Sequence, residues 1–170
     1  IKKTWPVEKI TKIKAGAHDF RLPGALYVDA ILASAEMGDE SHCEEVACAY
    51  LGFTEADPDI KSQVGYDPER GMEILERLIS SNGSNSKAAF LLGSFLVGCD
   101  GLMMFWQTRL CQRNPAKEFP HFDATRGISY LNQSMEIGCI EAKYLLGLLY
   151  LADDFVLNDK EKGIKLLEEL

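Results

Sequence analysis

The chain has 170 residues, 46% of them apolar, and a formal net charge of −8. That apolar content suffices for one continuous core, and the absence of a run of 18 apolar residues argues against a membrane-spanning helix. Nucleic acid is a poor default partner for so acidic a chain, because affinity for it comes mainly from neutralised phosphates.

Residues 1–14, IKKTWPVEKITKIK, carry five lysines against Glu8. This basic arm, taken as 1–24, reads as a solvated terminus pinned by Trp5; the alternative is docking on an acidic surface of its own or another subunit. The chain opens on Ile1 and stops at Leu170 within an apparent helix, which reads as a fragment or processed chain, so a missing signal peptide carries no information. From Leu26 to Met37, LYVDAILASAEM forms a helix that Gly38 ends. From Glu36 to Asp59 there are eight acids and no Lys or Arg. The run is read as a solvated face or as a docking surface for a basic partner, with Glu44, Glu45, Asp57 and Asp59 as the candidate contacts. It lacks the spacing of a calcium loop.

A repeat begins inside this run. ACAYLG (Ala47–Gly52), AAFLLG (Ala88–Gly93) and AKYLLG (Ala142–Gly147) align with their glycines 41 and 54 residues apart. Each is followed by a block of Asp, two variable residues, a basic residue and Gly: DPERGMEILE from Asp67, DATRGISYLN from Asp123 and DKEKGIKLLE from Asp159. The first element is apolar nearly all round and the second amphipathic, so one helix is inner and one outer. In the last block Ile164 and Leu167, with Leu166 and Leu170, are expected to line the core side while Lys162, Lys165 and Glu168 face out. A mid-helix glycine costs roughly 1 kcal/mol, so Gly52, Gly93 and Gly147 imply close approach of the partner helix. Asp67, Asp123 and Asp159 are placed to cap the second helix. Gly83 and Gly138 suit the positive φ that ends it. Constant elements with variable connections are the mark of a solenoid that pushes insertions into loops.

The stretch Asp100–Phe122 is the longest such insertion. Its Leu102, Met103, Phe105, Trp106 and Leu110 are more apolar matter than a loop needs, with Arg109 and Arg113 four apart. One reading is an elongated first helix folded back on the core. The other is an aromatic and arginine surface of the kind enriched at binding hot spots, made by Phe105, Trp106, Arg109 and Arg113. On that reading Trp106→Ala weakens partner binding by roughly 2 kcal/mol or more, against less than about 1 kcal/mol for any one exposed acid.

The pattern resembles the Sel1-like repeat, a relative of the tetratricopeptide repeat. Ala142, Leu146, Gly147, Tyr150, Ala152, Asp154, Val156, Asp159, Lys162 and Gly163 fall on its positions in the third copy. Ala88, Leu92, Gly93, Leu96, Gly98, Asp123, Arg126, Gly127 and Gly138 do so in the second. Ala47, Leu51, Gly52, Asp67, Arg70, Gly71 and Gly83 give thinner agreement in the first. The chain departs from the family in having Gly71, Gly127 and Gly163 where alanine is usual. The resemblance implies an all-α, right-handed α-solenoid of antiparallel helix pairs: a partial repeat at 25–43, then repeats at 44–83, 84–138 and, incomplete, 139–170. About six or seven helices and essentially no sheet are expected, with Leu51, Leu92, Leu145 and Leu146 buried.

Chemistry-bearing patterns are absent from the sequence. Cys43, Cys48, Cys99, Cys111 and Cys139 form no CxxC pair, which favours reduced thiols and a cytoplasmic setting over a periplasmic or secreted one; Cys99 with Cys139 is the one plausible bridge. His42, Cys43 and Cys48 lack a fourth ligand of suitable spacing. His18, His42 and His121 are isolated, and there is neither a GxSxG elbow nor a glycine-rich phosphate loop. No cofactor, metal or catalytic residue is therefore expected. The leading reading is a bacterial-style adaptor holding one protein partner on its concave face and the 100–122 loop, with scaffolding, regulation or neutralisation of that partner among the roles the resemblance implies. An enzyme, hydrolase-like, with an active site assembled on the repeat is the competing reading. The sequence leaves the oligomeric state open.

Overall fold

Eight helices and no strand make up the described residues of the chain, which in this computed structural model are 24–81, 83–99, 120–152 and 158–170. They are α1 (Gly24–Glu36), α2 (Glu40–Leu51), α3 (Pro58–Val64), α4 (Pro68–Ser81), α5 (Ser86–Leu96), α6 (Ala124–Glu136), α7 (Ile140–Leu151) and α8 (Lys160–Glu168). The one beyond the expected number is α3, a short helix in the connection between α2 and α4, opened by Asp57 and Pro58. Repeated pairwise packing of neighbouring helices gives an all-α architecture of the helical-repeat kind. The chain divides into two compact units at Ile74 and Leu75, a boundary that falls within α4.

Within the first unit α1 packs on α2 and α3, burying Val28, Ile31 and Ala35. Within the second, α5 packs on α6 and α7 on α8, and α7 lies against α5 and α6 as well. Leu92, Leu131, Leu145 and Leu146 are fully enclosed there. The four leucines expected to be inner, Leu51, Leu92, Leu145 and Leu146, are all buried.

The helix pairs cross where side chains are smallest. A Cβ on Gly127 would lie 3.0 Å from the Gly93 carbonyl oxygen, and one on Gly163 would lie 2.8 Å from that of Gly147. Such distances leave no room for a methyl group, which is why glycine stands where the resembled family has alanine. In the first unit the same crossing is made by Gly71, whose Cβ would lie 3.2 Å from the Ala47 carbonyl oxygen and 2.7 Å from Leu51.

This contact corrects the alignment of the first copy by five residues. Ala47, not Gly52, stands at the crossing that Gly93 and Gly147 occupy; Leu51, Val97 and Leu151 follow four residues later and meet Gly71, Gly127 and Gly163 in turn. Main-chain bonds give the same register. The Asp67 N–H donates to the Tyr50 carbonyl as the Asp123 N–H donates to that of Leu96, at 3.0 and 2.9 Å. Gly52 is instead the left-handed residue that closes α2, with φ of 77°, and its counterpart is Gly98, also at 77°. The LG dipeptide misled because it occurs twice at a crossing and once at a helix end.

The tight turns share one design. Gly38, Gly98 and Gly138 have positive φ, and the residue after each donates its N–H to the carbonyl of Ser34, Ser94 or Ser134. That six-to-one bond closes the helix end and leaves all three serines buried. Gly83, expected to act likewise, is not among the positive-φ glycines. The predicted caps do form: Asp67, Asp123 and Asp159 accept from the N–H three residues on, at 3.1, 3.0 and 3.1 Å.

In α8 the expected core side is covered only in part. Gly163 is buried, Leu166 and Leu167 are half-buried, and Ile164 and Leu170 are 49% and 53% exposed.

Candidate functional site

The register brings out a clamp that the sequence reading missed. Arg70 lies over the ring of Tyr50, 5.1 Å from its centroid, and Lys162 lies over that of Tyr150 at 4.4 Å while donating to its hydroxyl at 2.6 Å. Each pairs the basic residue three after the capping aspartate with a tyrosine three after the crossing. Where that tyrosine is Leu96, Arg126 turns to Glu76 on α4 and forms an ion pair. These contacts tie helix to helix.

The candidate binding surface lies in the first unit. Tyr27 on α1 is 39% exposed. Its own partial burial, then the charges of Glu45 on α2 and Asp57 at the head of α3, hold its phenol above the usual tyrosine range. Both carboxylates are thus near enough for their charges to act on the phenol. Local structure fixes this arrangement. Asp57 caps α3 by accepting from the N–H groups of Asp59 and Ile60 at 2.8 and 3.2 Å. Gln63 ties α3 to α1 through Asp29 at 3.0 Å, and Lys61 donates to the Phe53 carbonyl at 2.9 Å. An exposed aromatic ring whose phenol feels the charge of two carboxylates suits a lysine or arginine side chain, which gains both ring contact and charge attraction.

Of the acids named from sequence, Glu45 and Asp57 act electrostatically on the Tyr27 phenol, and Asp59 is exposed in the first turn of α3. Glu44 is buried, at 8% exposure, so it belongs to the packing of α2 rather than to a contact surface. Phe105, Trp106, Arg109 and Arg113 lie outside the described residues, as do Cys111 and residues 1–23. Tyr27 was missed because it sits one helix away from most of the acidic run; the clue was the single aromatic residue of a helix built mainly of small and aliphatic side chains.

Cys43, Cys48, Cys99 and Cys139 are not disulfide-bonded, so the bridge between Cys99 and Cys139 is not formed. Burial pushes the Cys139 thiol up from its usual range, the opposite of what a nucleophile needs. Among the described residues no group of three or more His, Cys, Asp or Glu side chains could hold a metal ion, and no helix is long and apolar enough to cross a membrane. No protein-family model matches the chain, and comparison with curated proteins and with solved structures gives no significant match.

Proposed function

We propose that the chain is a Sel1-like, tetratricopeptide-related right-handed α-solenoid that serves as a protein-interaction module or adaptor, binding one protein partner and regulating or neutralising it. The corrected register supports the repeat, because it moves Tyr50 onto the family's tyrosine position, which Tyr150 already holds. The observation that carries the binding reading is the exposed Tyr27 ring, on whose phenol the charges of Glu45 and Asp57 act. It recognises a basic segment of the partner, with the acids speeding encounter and the ring prolonging the complex. The concave face and the 100–122 loop, through Phe105, Trp106, Arg109 and Arg113, supply further contacts.

Affinity purification from the native organism tests this, with wild type run beside Tyr27→Ala, the pair Glu45→Lys with Asp57→Lys, and Trp106→Ala. One partner should be retained by wild type and lost with the charge reversal, while each variant keeps its helical circular dichroism. Retention by all three variants would place binding elsewhere. Reproducible turnover of a substrate by the purified chain would favour the enzyme reading.

A further inference from the structure

The helix that carries Tyr27 repeats the outer helix of the second hairpin. Its Tyr27, Ile31, Ser34 and Gly38 correspond to Gly127, Leu131, Ser134 and Gly138, and both helix ends close on the carbonyl of that serine. In the second hairpin this face meets the inner helix that precedes it in the chain: Gly127 and Leu131 lie against Gly93, and the Ser134 Oγ donates to the Ser86 carbonyl at 2.7 Å. On α1 the Ser34 Oγ is buried and has no hydrogen-bond partner among the described residues. An enclosed hydroxyl without an acceptor is destabilising, so this face calls for a chain segment that offers a carbonyl. By the order of the repeat, that segment comes from the residues before α1.

Charge names the same segment. Residues 24–74 carry twelve acids against Lys61 and Arg70, whereas residues 75–170 carry twelve acids against ten basic residues. The negative charge is thus concentrated in the first unit, and the most positive stretch, five lysines against Glu8, is residues 1–14. Twelve residues separate Lys14 from Tyr27, and at up to ~3.5 Å each they leave ample reach. Such a tether holds the arm at an effective concentration on the order of millimolar. What differs from the later hairpins is Tyr27. Gly127 approaches the Gly93 carbonyl at a distance that excludes even a methyl group, so a tyrosine at that position bars the close backbone approach that locks the other pairs. It leaves instead a ring that a lysine can cover and release. We propose that residues 1–14 dock in cis on the Tyr27 face of α1 and, on the reading of Tyr27 as the partner site, act as an autoinhibitory ligand that the partner's basic segment displaces.

Zero-length carbodiimide cross-linking of the whole chain, read by mass spectrometry, tests the docking. Lysines of residues 1–14 should join to acids between Glu36 and Asp59, with a yield that is independent of protein concentration and falls as salt rises. Calorimetric titration of a lysine-rich peptide tests the autoinhibition. The full chain with Lys2→Gln, Lys3→Gln, Lys9→Gln, Lys12→Gln and Lys14→Gln together should bind the peptide about tenfold more tightly than wild type, and adding Tyr27→Ala should abolish the gain. A cross-link yield that grows with concentration would move the arm onto another copy and overturn docking in cis, as would the absence of these cross-links at low salt. Equal peptide affinity with and without the five lysines would overturn the autoinhibition. Cross-links in cis with no peptide binding by either protein would support the docking and count against Tyr27 as the partner site.

Discussion

The first hairpin, α2 with the first half of α4, and the last, α7 with α8, cross in the same register and hold the same tyrosine under a basic residue, yet their outer stripes differ in kind. Ile140, Tyr144 and Leu148 of α7 correspond to Glu40, Glu44 and Cys48 of α2. The inner contact is fixed by backbone approach, with a Gly163 Cβ only 2.8 Å from the Gly147 carbonyl oxygen. The outer stripe touches whatever lies beyond the hairpin, so its residues can change without disturbing the crossing. Structure is written on one side of these helices, and what distinguishes one hairpin from another on the other.

The inner side should therefore be unforgiving. Leu92→Ala should destabilise by roughly 2–5 kcal/mol in urea unfolding, as expected for a fully enclosed leucine. Gly93→Ala should cost about 1–3 kcal/mol by overpacking against the Gly127 carbonyl and Leu131. The reverse change in the first hairpin, Ala47→Gly, should cost no more than about 1 kcal/mol, the helix-propensity loss alone, because alanine already fits there. Equal costs at the two positions would break the proposed register.

The clamp should matter less. Tyr150→Leu, which copies the natural Leu96, should cost about 0.5–1 kcal/mol and free the Lys162 ammonium, a change visible in its side-chain NMR shifts.

Smallest is the surface pair that joins α7 to the end of α8. The hydrogen bond from Lys143 and then its charge hold the Glu169 carboxyl below its usual range. A carboxylate with a lowered folded-state pKa stabilises the fold above its unfolded value and loses that contribution as pH falls through the folded one. Lys143→Ala should thus be slightly less stable than wild type near neutrality, and the gap should close in acid. A gap that persists unchanged at low pH would show that the ion pair contributes nothing.

The sequence disclosed the helical repeat well, because capping aspartates and crossing glycines are each dictated by the backbone. It misplaced the first copy because a glycine preceded by leucine serves two purposes, close approach in Leu92–Gly93 and left-handed helix closure in Leu51–Gly52. The clamp was hidden by that slip, since Tyr50 aligns with Tyr150 only in the corrected register. Half of the acidic surface was legible as charge. Glu44 could not be told from Glu45 by sequence, for adjacent helical residues face different ways, and one is buried while the charge of the other acts on Tyr27. No periodicity could announce Tyr27 itself, which joins Glu45 and Asp57 only through the packing of α1 with α2 and α3.

The binding reading is tested most directly by calorimetric titration of a lysine-rich peptide into the wild-type chain, Tyr27→Ala, and the pair Glu45→Gln with Asp57→Asn, at low and high salt. Wild type should bind saturably and more weakly as salt rises, and both variants should lose about tenfold or more in affinity while keeping their helical spectrum. Binding of equal strength by all three proteins, or none by wild type at low salt, would contradict it.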